Sequence, residues 1–269
     1  MEYVDNAVTR HFYHKVSPEQ LMDVLRAVAF LEAKSLQLKD EEKHKLESNP
    51  IKTIYSRFIT PNVVSKAFRD MCTVYKELKP SAEELLKLVE EMLDLDLPST
   101  LNKELGMKDV FVHGDLWSAN LLWTRTTDGV LFSKYIDHQQ AHFGCPAEDL
   151  CRLFISTLSG ADRRANWERL LEEFHGYIVQ YSEGELPFTL EQLKEAYRRM
   201  FPLAGVLLSE IYDLAVKVAL RKLSDEEKVV AQAVVAEKAF ALFEDMVYYA
   251  KRNREVRRST NSTTCRFSK

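Results

Sequence analysis

The feature that most constrains the fold of this chain is a change of hydrophobic period in the middle of a helical sequence. Between residues 110 and 136, short runs of strand-forming residues replace the helical spacing found on both sides. The runs 120–123 and 131–136 are separated by a stretch containing Asp128-Gly129, a dipeptide that strongly favours a hairpin turn. The pattern predicts a helix-dominated α+β fold with a small central hairpin island at 109–142.

Helix starts are marked on both sides of this island. Ser17-Pro18-Glu19-Gln20 combines a capping box with a proline at the first helical position, and Pro61 opens a second helical pattern. Two further capping boxes are Ser81-Ala82-Glu83-Glu84 and Ser224-Asp225-Glu226-Glu227. Beyond Pro146 the spacing predicts helices over 149–158, 162–181 and 190–223, the last with a kink or break near Pro202 and Gly205, and a final helix reaching about Lys251.

The end of the chain has a different composition. Residues 253–269 are polar and basic and show no hydrophobic period, which predicts a disordered basic tail. No internal repeat and no Gly/Ser-rich linker marks a second domain before them. We therefore expect residues 1–252 to form one domain.

Composition excludes several classes of protein. The 269 residues are 46% hydrophobic and carry a formal net charge of -4, so the basic stripe typical of nucleic-acid binding is not expected. No apolar run approaches the ~20 residues that span a bilayer, and residues 1–15 lack the apolar segment of a secretory signal. Four cysteines without regular spacing favour a reduced, intracellular protein. We expect a cytoplasmic protein; the sequence leaves its oligomeric state open.

The chemistry lies in the island. His113-Gly114-Asp115 follows a strand-like run, Asn120 comes five residues after Asp115, and Asp137 ends the last run. A loop anchored by strands at both ends can hold two polar side chains over one point, as catalysis by positioning requires. An Asp that receives an acceptor hydroxyl, with an Asn and a second Asp as oxygen ligands of magnesium, is the arrangement that phosphoryl transfer from ATP needs.

The stretch HGDLWSANLLW, with YIDHQQ and PAEDLCRLF after it, resembles the CHK-kinase-like family, also called ecdysteroid-kinase-like, and its nematode branch most of all. This family belongs with the choline kinases and aminoglycoside phosphotransferases, which carry H-G-D-x-x-x-x-N where protein kinases carry H-R-D-x-x-x-x-N. The resemblance covers roughly residues 1–251. It implies that Asp115 is the catalytic Asp, that Asn120 and Asp137 bind Mg2+, and that His113 is a structural residue of the catalytic loop. Asp149 either braces that loop or serves as a plain helix N-terminal acid.

The resemblance also implies a fold and a substrate class. The fold is the C-terminal lobe of the protein-kinase-like fold, with residues 1–5 as the hinge, where backbone groups of Glu2 and Val4 meet the adenine of ATP. The substrate is a small molecule phosphorylated on a hydroxyl, such as a steroid, a choline-like amino alcohol or a xenobiotic.

Other parts of a kinase are not found in the sequence. A Gly-rich loop and a strand lysine should precede the catalytic loop, yet the first glycine is Gly106, and Lys15 and Lys34 lie at or within helix-like segments. We therefore expect a C-lobe whose N-lobe is missing and leave open whether this chain is active alone. A non-catalytic binding module derived from a kinase is the main alternative. A metal-dependent hydrolase using the same acids is the third.

Overall fold

The structure, a computed structural model, describes residues 4–46, 49–127 and 129–264. Five short strands form within them: β1 (Ala7–Thr9), β2 (Val110–Val112), β3 (Leu121–Thr126), β4 (Gly129–Tyr135) and β5 (His142–Gly144). The helices are α1 (Met22–Ser35), α2 (Asp40–Lys43), α3 (Pro50–Tyr55), α4 (Pro61–Val74), α5 (Lys79–Leu86), α6 (Val89–Met92), α7 (Leu97–Leu105), α8 (Ala147–Thr157), α9 (Gly160–Tyr181), α10 (Leu190–Val218) and α11 (Asp225–Thr264). None of these helices combines the length and the sustained hydropathy of a membrane span. The predicted helix-dominated α+β class is confirmed.

The strands form two small antiparallel sheets. In one sheet the order is β1-β3-β4, and the predicted hairpin is confirmed by pairing of β3 with β4 from Leu121↔Tyr135 to Thr126↔Gly129. In the other, β2 pairs with β5. The sequence did not predict β1 or β5, because neither consists entirely of strand-forming residues as Val110-Phe111-Val112 does.

Two of the three predicted capping boxes are confirmed. The backbone N–H of Gln20 donates to Ser17 Oγ, while the N–H of Ser17 donates to Gln20 Oε1; Ser224 and Glu227 make the same reciprocal pair at the start of α11. The third prediction is wrong because α5 begins at Lys79, before the predicted cap. Proline is well accommodated in a first turn, where its missing N–H has no partner to lose, so Pro80 starts this helix earlier. Further along the chain, α10 continues through Pro202 without a break.

Helix α8 is the buried centre of the described structure. Each of its residues from Ala147 to Thr157 is buried, and it packs against α10, which in turn packs against α11. On another side α1 packs against both α9 and β2. Because α8 is closed off from solvent, any charged side chain on it needs a partner inside the protein.

The prediction of a disordered tail is wrong for residues 253–264, which continue α11 as helix. The physical reason is tertiary contact that the local composition does not reveal. Asn253 is 4% exposed and its amide donates to the carbonyl oxygen of Arg198 on α10, while Arg254 forms an ion pair with Glu91. Residues 265–269 lie outside the described part of the chain.

A buried lysine joins three separate segments. Lys238 on α11 is 0% exposed, and its Nζ donates to the carbonyl oxygens of Phe12 (2.8 Å), His14 (3.1 Å), Ser156 (2.8 Å) and Thr157 (3.0 Å). Burial lowers the pKa of Lys238 to about 7. The four carbonyls act in the opposite direction because only the ammonium form has three N–H donors to offer them. Lys238 thus fastens the N-terminal segment and the end of α8 to α11.

Candidate active site

The predicted loop is anchored as the sequence suggested. Strand β2 ends at Val112, His113-Gly114-Asp115 follows directly, and a 3-10 turn at Ser118–Asn120 leads into β3. Within the loop the N–H of Asn120 donates to the carbonyl oxygen of Trp117. The backbone positions of Asp115 and Asn120 are therefore fixed by the two strands that flank them.

Asp115 and Asn120 are in direct contact. The Nδ2 group of Asn120 donates to the backbone carbonyl of Asp115 at 2.9 Å and to its Oδ2 at 3.2 Å. Because both partners are acceptors, the amide can face them only with its nitrogen. Within the described residues no hydrogen bond engages Oδ1 of Asn120, so this atom can bind another ligand.

Asp137 is connected to the same loop through its neighbour Ile136. The N–H of Ile136 donates to the carbonyl oxygen of Asn120 at 2.9 Å, and the carbonyl oxygen of Ile136 bonds the Nε2 of His113 at 2.8 Å. Asp137 itself is exposed and has a left-handed backbone (φ 68°), a conformation that Asp adopts more readily than most residues. The structure thus joins Asp115 to Asn120 directly and places Asp137 one residue beyond their hydrogen-bond network.

His113 uses both ring nitrogens within the loop. Its Nε2 faces a carbonyl oxygen and must therefore carry the proton, while Nδ1 accepts from the N–H of Asp115 at 3.3 Å. Burial lowers the pKa of His113, which favours this neutral form. The geometry therefore gives His113 a structural role and leaves it no free nitrogen for proton transfer.

Asp149 holds the loop through hydrogen bonds to its backbone. It lies in the first turn of α8 and is 1% exposed, and its two oxygens accept from the backbone N–H groups of His113 (2.7 Å) and Gly114 (3.0 Å). Burial raises the pKa of Asp149 to about 7, although the two donated hydrogen bonds favour its charged form. Of the two roles that the sequence left open, the bracing role is confirmed.

Further ionisable groups are buried around Asp149. Burial raises the pKa of Glu32, on α1, well above its usual range, and neither carboxyl oxygen has a hydrogen-bond partner within the described residues. Burial without a partner thus favours the neutral form of the Glu32 carboxyl. Burial disfavours a charged His142, but the hydrogen bond to Glu148 (3.3 Å), the charge of Glu148 and the carbonyl oxygen of Gln140 together outweigh this and raise the pKa of His142 to about 9. Asp149 and His142, which lie beneath the loop, thus each have hydrogen-bond partners.

Sequence reasoning missed Arg152. Its Nη1 donates to Asp115 Oδ1 at 3.0 Å, and the Arg152 side chain is only 1% exposed. Tyr55, on α3, lies against the same guanidinium, 5.9 Å from ring centroid to Cζ. A signal was present, because an arginine within the otherwise apolar run of a buried helix requires a partner. Nothing in the spacing identified Asp115 as that partner.

Gly114 is required by the loop geometry. Its backbone is left-handed (φ 79°), and a Cβ added there would lie 2.3 Å from the carbonyl oxygen of Gln140. Gln140 belongs to the segment that leads from Asp137 to β5. The loop and this segment therefore pack backbone to backbone, which only glycine permits.

We expect Gly114→Ala to destabilise the protein by about 3 kcal/mol, since it combines backbone strain with a clash that neither segment can avoid. Urea unfolding would measure the change. The matched control is Gly176→Ala in α9, where an added Cβ meets nothing within 4 Å. There the better helix propensity of alanine should raise stability by up to about 1 kcal/mol. Equal stability of the two variants would show that the Gly114 contact is not rigid.

The hinge residues can be placed only in part. Glu2 lies outside the described residues. Val4 is half-buried and precedes a turn that enters β1, where Ala7 pairs with Thr124 and Thr9 with Leu122. The segment before β1 thus runs toward the hairpin end of β3. The adenine contact of Glu2 and Val4 stays a prediction.

The oxygen atoms of the site suit magnesium. Asn120 offers a free Oδ1 and Asp137 an exposed carboxylate, and Mg2+ is commonly held by one or two such side chains together with substrate phosphates. Elsewhere in the described residues no group of three or more His, Cys, Asp or Glu side chains could hold a metal. The donor set therefore fits a metal that arrives with a phosphorylated ligand.

Together these observations define a helix-dominated α+β protein with an Asp-Asn-Asp site on a strand-anchored loop. A family model matches residues 1–254, and the chain belongs to that family, DUF1679, described as "Uncharacterized oxidoreductase dhs-27".

Two relatives from Caenorhabditis elegans are similar to this chain. The "Uncharacterized kinase-like protein D1044.1" is 27% identical over 201 residues, covering 74% of this chain and 51% of that protein. The "Uncharacterized oxidoreductase dhs-27" is 27% identical over 214 residues, covering 75% of this chain and 25% of that protein. The chain thus spans about half the length of the first relative and a quarter of the second.

Among solved structures, a Plasmodium vivax ethanolamine kinase is similar to this chain, with a TM-score of 0.43 and 15% sequence identity. The similarity covers 91% of this chain and 65% of that one.

Proposed function

We propose that this chain carries the catalytic half of an ATP- and Mg2+-dependent phosphotransferase that phosphorylates a hydroxyl group of a small molecule. The observation that carries the proposal is the contact of Asp115 with Asn120 on a loop that also fixes the backbone beside Asp137. Similarity to a kinase-like relative supports it. The acceptor classes are those of the CHK-kinase-like group: steroids, choline-like amino alcohols and xenobiotic alcohols.

Each residue has a distinct task in this reaction. Asp115 accepts a hydrogen bond from the acceptor hydroxyl, orients it, and receives its proton late in the transfer. Asn120 Oδ1 and the Asp137 carboxylate would hold Mg2+, which when bound neutralises charge on the nucleotide phosphates. Asp149 keeps the loop in place through the amides of His113 and Gly114. The protein's contribution is thus mainly positioning, as phosphoryl transfer requires.

The name of the second relative raises oxidoreductase chemistry, which the residues of this chain do not support. A dinucleotide-binding G-x-G-x-x-G fingerprint needs glycines two and three residues apart after a strand. None of the eight glycines stands two residues from another. Both sheets of the described residues are antiparallel, whereas that fingerprint belongs to a parallel βαβ unit. The match covers 25% of that relative, so its name does not assign an activity to the matched part.

A non-catalytic binding module is the second candidate. It is favoured by apolar side chains that are exposed next to the site: Ile136 (36% exposed) precedes Asp137, and Phe58 (53% exposed) packs edge-on against Tyr55. Such side chains can hold a ligand or a partner without any chemistry. The interpretation that the chain is a C-lobe without its N-lobe stays a prediction, as does a cytoplasmic location.

The direct test is phosphorylation of a panel of alcohols from the three acceptor classes by the purified chain with Mg2+ and ATP, with products identified by mass spectrometry. We expect transfer to at least one class and none after Mg2+ is chelated. Asp137→Asn should raise the Mg2+ concentration for half-maximal rate about tenfold or more, because it removes a charged ligand.

Two other outcomes would contradict the proposal. Phosphate release without a phosphorylated acceptor would indicate a hydrolase. Ligand binding without consumption of ATP would indicate the binding module. Asp23→Asn, on an exposed acid of α1, is the matched control and should leave the Mg2+ requirement unchanged.

A further inference from the structure

We propose that Arg152 is a positioning residue for Asp115, holding its carboxylate in the orientation that receives the acceptor hydroxyl. This inference rests on the proposed phosphotransferase function and adds to it a residue that lies outside the predicted catalytic loop. Arg152 lies on α8, 37 residues beyond Asp115 in the chain.

Asp115 is held by two donors. Arg152 Nη1 donates to Asp115 Oδ1 at 3.0 Å, and Asn120 Nδ2 donates to Asp115 Oδ2 at 3.2 Å. Two donors on different oxygens fix the plane of the carboxylate as well as its position. Each oxygen retains a lone pair, because a carboxylate can accept about four hydrogen bonds in all. The acceptor hydroxyl can therefore bind without displacing either donor.

The buried guanidinium of Arg152 needs a partner. A guanidinium that is 1% exposed loses its hydration, and such a charge is tolerated only when it is paired and hydrogen-bonded. Asp115 is the carboxylate that pairs with it, while Nη2 has no hydrogen-bond partner in the described residues. The Asp115 carboxylate is thus the ionic partner that makes the burial of the Arg152 guanidinium tolerable.

Arg152 does not compete for the proton of the reaction. Arginine stays charged throughout the accessible pH range, so it cannot take up the proton that the hydroxyl releases. Arg152 therefore holds the Asp115 carboxylate at 3.0 Å without competing for that proton. Displacing a reacting group by ~1 Å can cost on the order of a hundredfold in rate, so the anchor has a kinetic effect.

The chain contains a closely matched control for this pair. Arg163 is 2% exposed, pairs with Asp245 at 2.7 Å, and lies 5.5 Å from the ring centroid of Phe201. Arg152 has the same combination of burial, carboxylate and aromatic ring. In each pair the carboxylate is 14% exposed. A structural effect of removing a buried arginine should therefore be similar at the two positions.

The test compares Arg152→Met, Arg152→Lys and Arg163→Met in the phosphorylation assay, with each variant's folding checked by thermal unfolding. We expect Arg152→Met to lower kcat about a hundredfold while KM for ATP changes less than twofold, since Asn120 and Asp137 are untouched. Arg152→Lys should recover at least a tenth of the wild-type kcat. Arg163→Met should leave kcat within threefold, whatever it does to stability.

A double variant tests whether Arg152 affects the rate through Asp115 or independently of it. If Arg152 acts through Asp115, then Asp115→Asn with Arg152→Met should be no slower than Asp115→Asn alone. Multiplicative losses, a loss equal to that of Arg163→Met, or an unchanged kcat in Arg152→Met would each overturn the inference. Each of those results would be obtained with a wild-type chain that transfers phosphate, so they would leave the proposed function in place. A wild-type chain that phosphorylates no acceptor removes the proposed function itself, and this inference with it.

Discussion

Replacing Asp115 with asparagine is expected to lower the rate of phosphoryl transfer about a thousandfold. Asparagine has the same shape and its Oδ1 can still accept from Arg152, but the buried guanidinium loses its paired charge, so thermal unfolding of the variant is measured beside the rates. It cannot receive the proton of the acceptor hydroxyl, and a positioned general base contributes about 10²–10⁴ in rate. The measurement is kcat and KM for ATP in the assay that identifies the acceptor, with KM expected to stay within twofold.

The same substitution decides between the two leading functions. A binding module predicts that Asp115→Asn changes neither ligand binding nor the small background of ATP consumption. A residual rate within threefold of wild type would therefore reject Asp115 as the base and favour the module. Asp23→Asn, an exposed acid paired with Arg26, provides the control for removing one negative charge. It should not change the rate.

The largest effect on stability is expected from Lys238→Met, at about 4 kcal/mol. Methionine has a similar length, so little volume is lost, but four carbonyl acceptors lose their donor in a place that water does not reach. A buried acceptor left without a partner costs about 1–3 kcal/mol. Thr157 keeps one bond, from the N–H of Val16, so the four costs do not simply add. Urea unfolding monitored by circular dichroism would measure the loss.

Lys251→Met supplies the control on the same helix. Its ammonium pairs with Glu84, but the side chain is 50% exposed. Surface ion pairs of this kind contribute about 0–1 kcal/mol, so its removal should change stability by less than 1 kcal/mol. Similar losses at Lys238 and Lys251 would mean that the four carbonyls of the buried cluster are hydrated after the substitution.

The hairpin and the loop that follows β2 were predictable because their signals are local. Turn chemistry at Asp128-Gly129 fixes the pairing of β3 with β4, although Asp128 itself lies outside the described residues. Glycine at position 114 agrees with the left-handed backbone found there. Reciprocal caps at Ser17 and Ser224 also depend only on residues three positions apart.

Predictions failed where distant contacts outweighed local composition. Residues 253–264 are polar and aperiodic, yet they continue α11 because Asn253 and Arg254 find partners on other elements. The carbonyl cluster around Lys238 joins residues more than 200 positions apart, and no local pattern marks it. Similarly, β1 is stabilised by pairing with β3 rather than by its own sequence.

The sequence by itself determined the helix-dominated α+β class, the central hairpin and the polar residues on the loop that follows β2. These follow from turn chemistry, capping and hydrophobic period, which act over a few residues. Only the tertiary structure decided that Asp149 binds the loop amides, that His113 has no free nitrogen, and that Arg152 reaches Asp115. Those contacts depend on how α8 packs beneath the loop. Because α8 is buried, its charged side chains have no water around them. They are therefore stable only when they are paired or hydrogen-bonded within the protein.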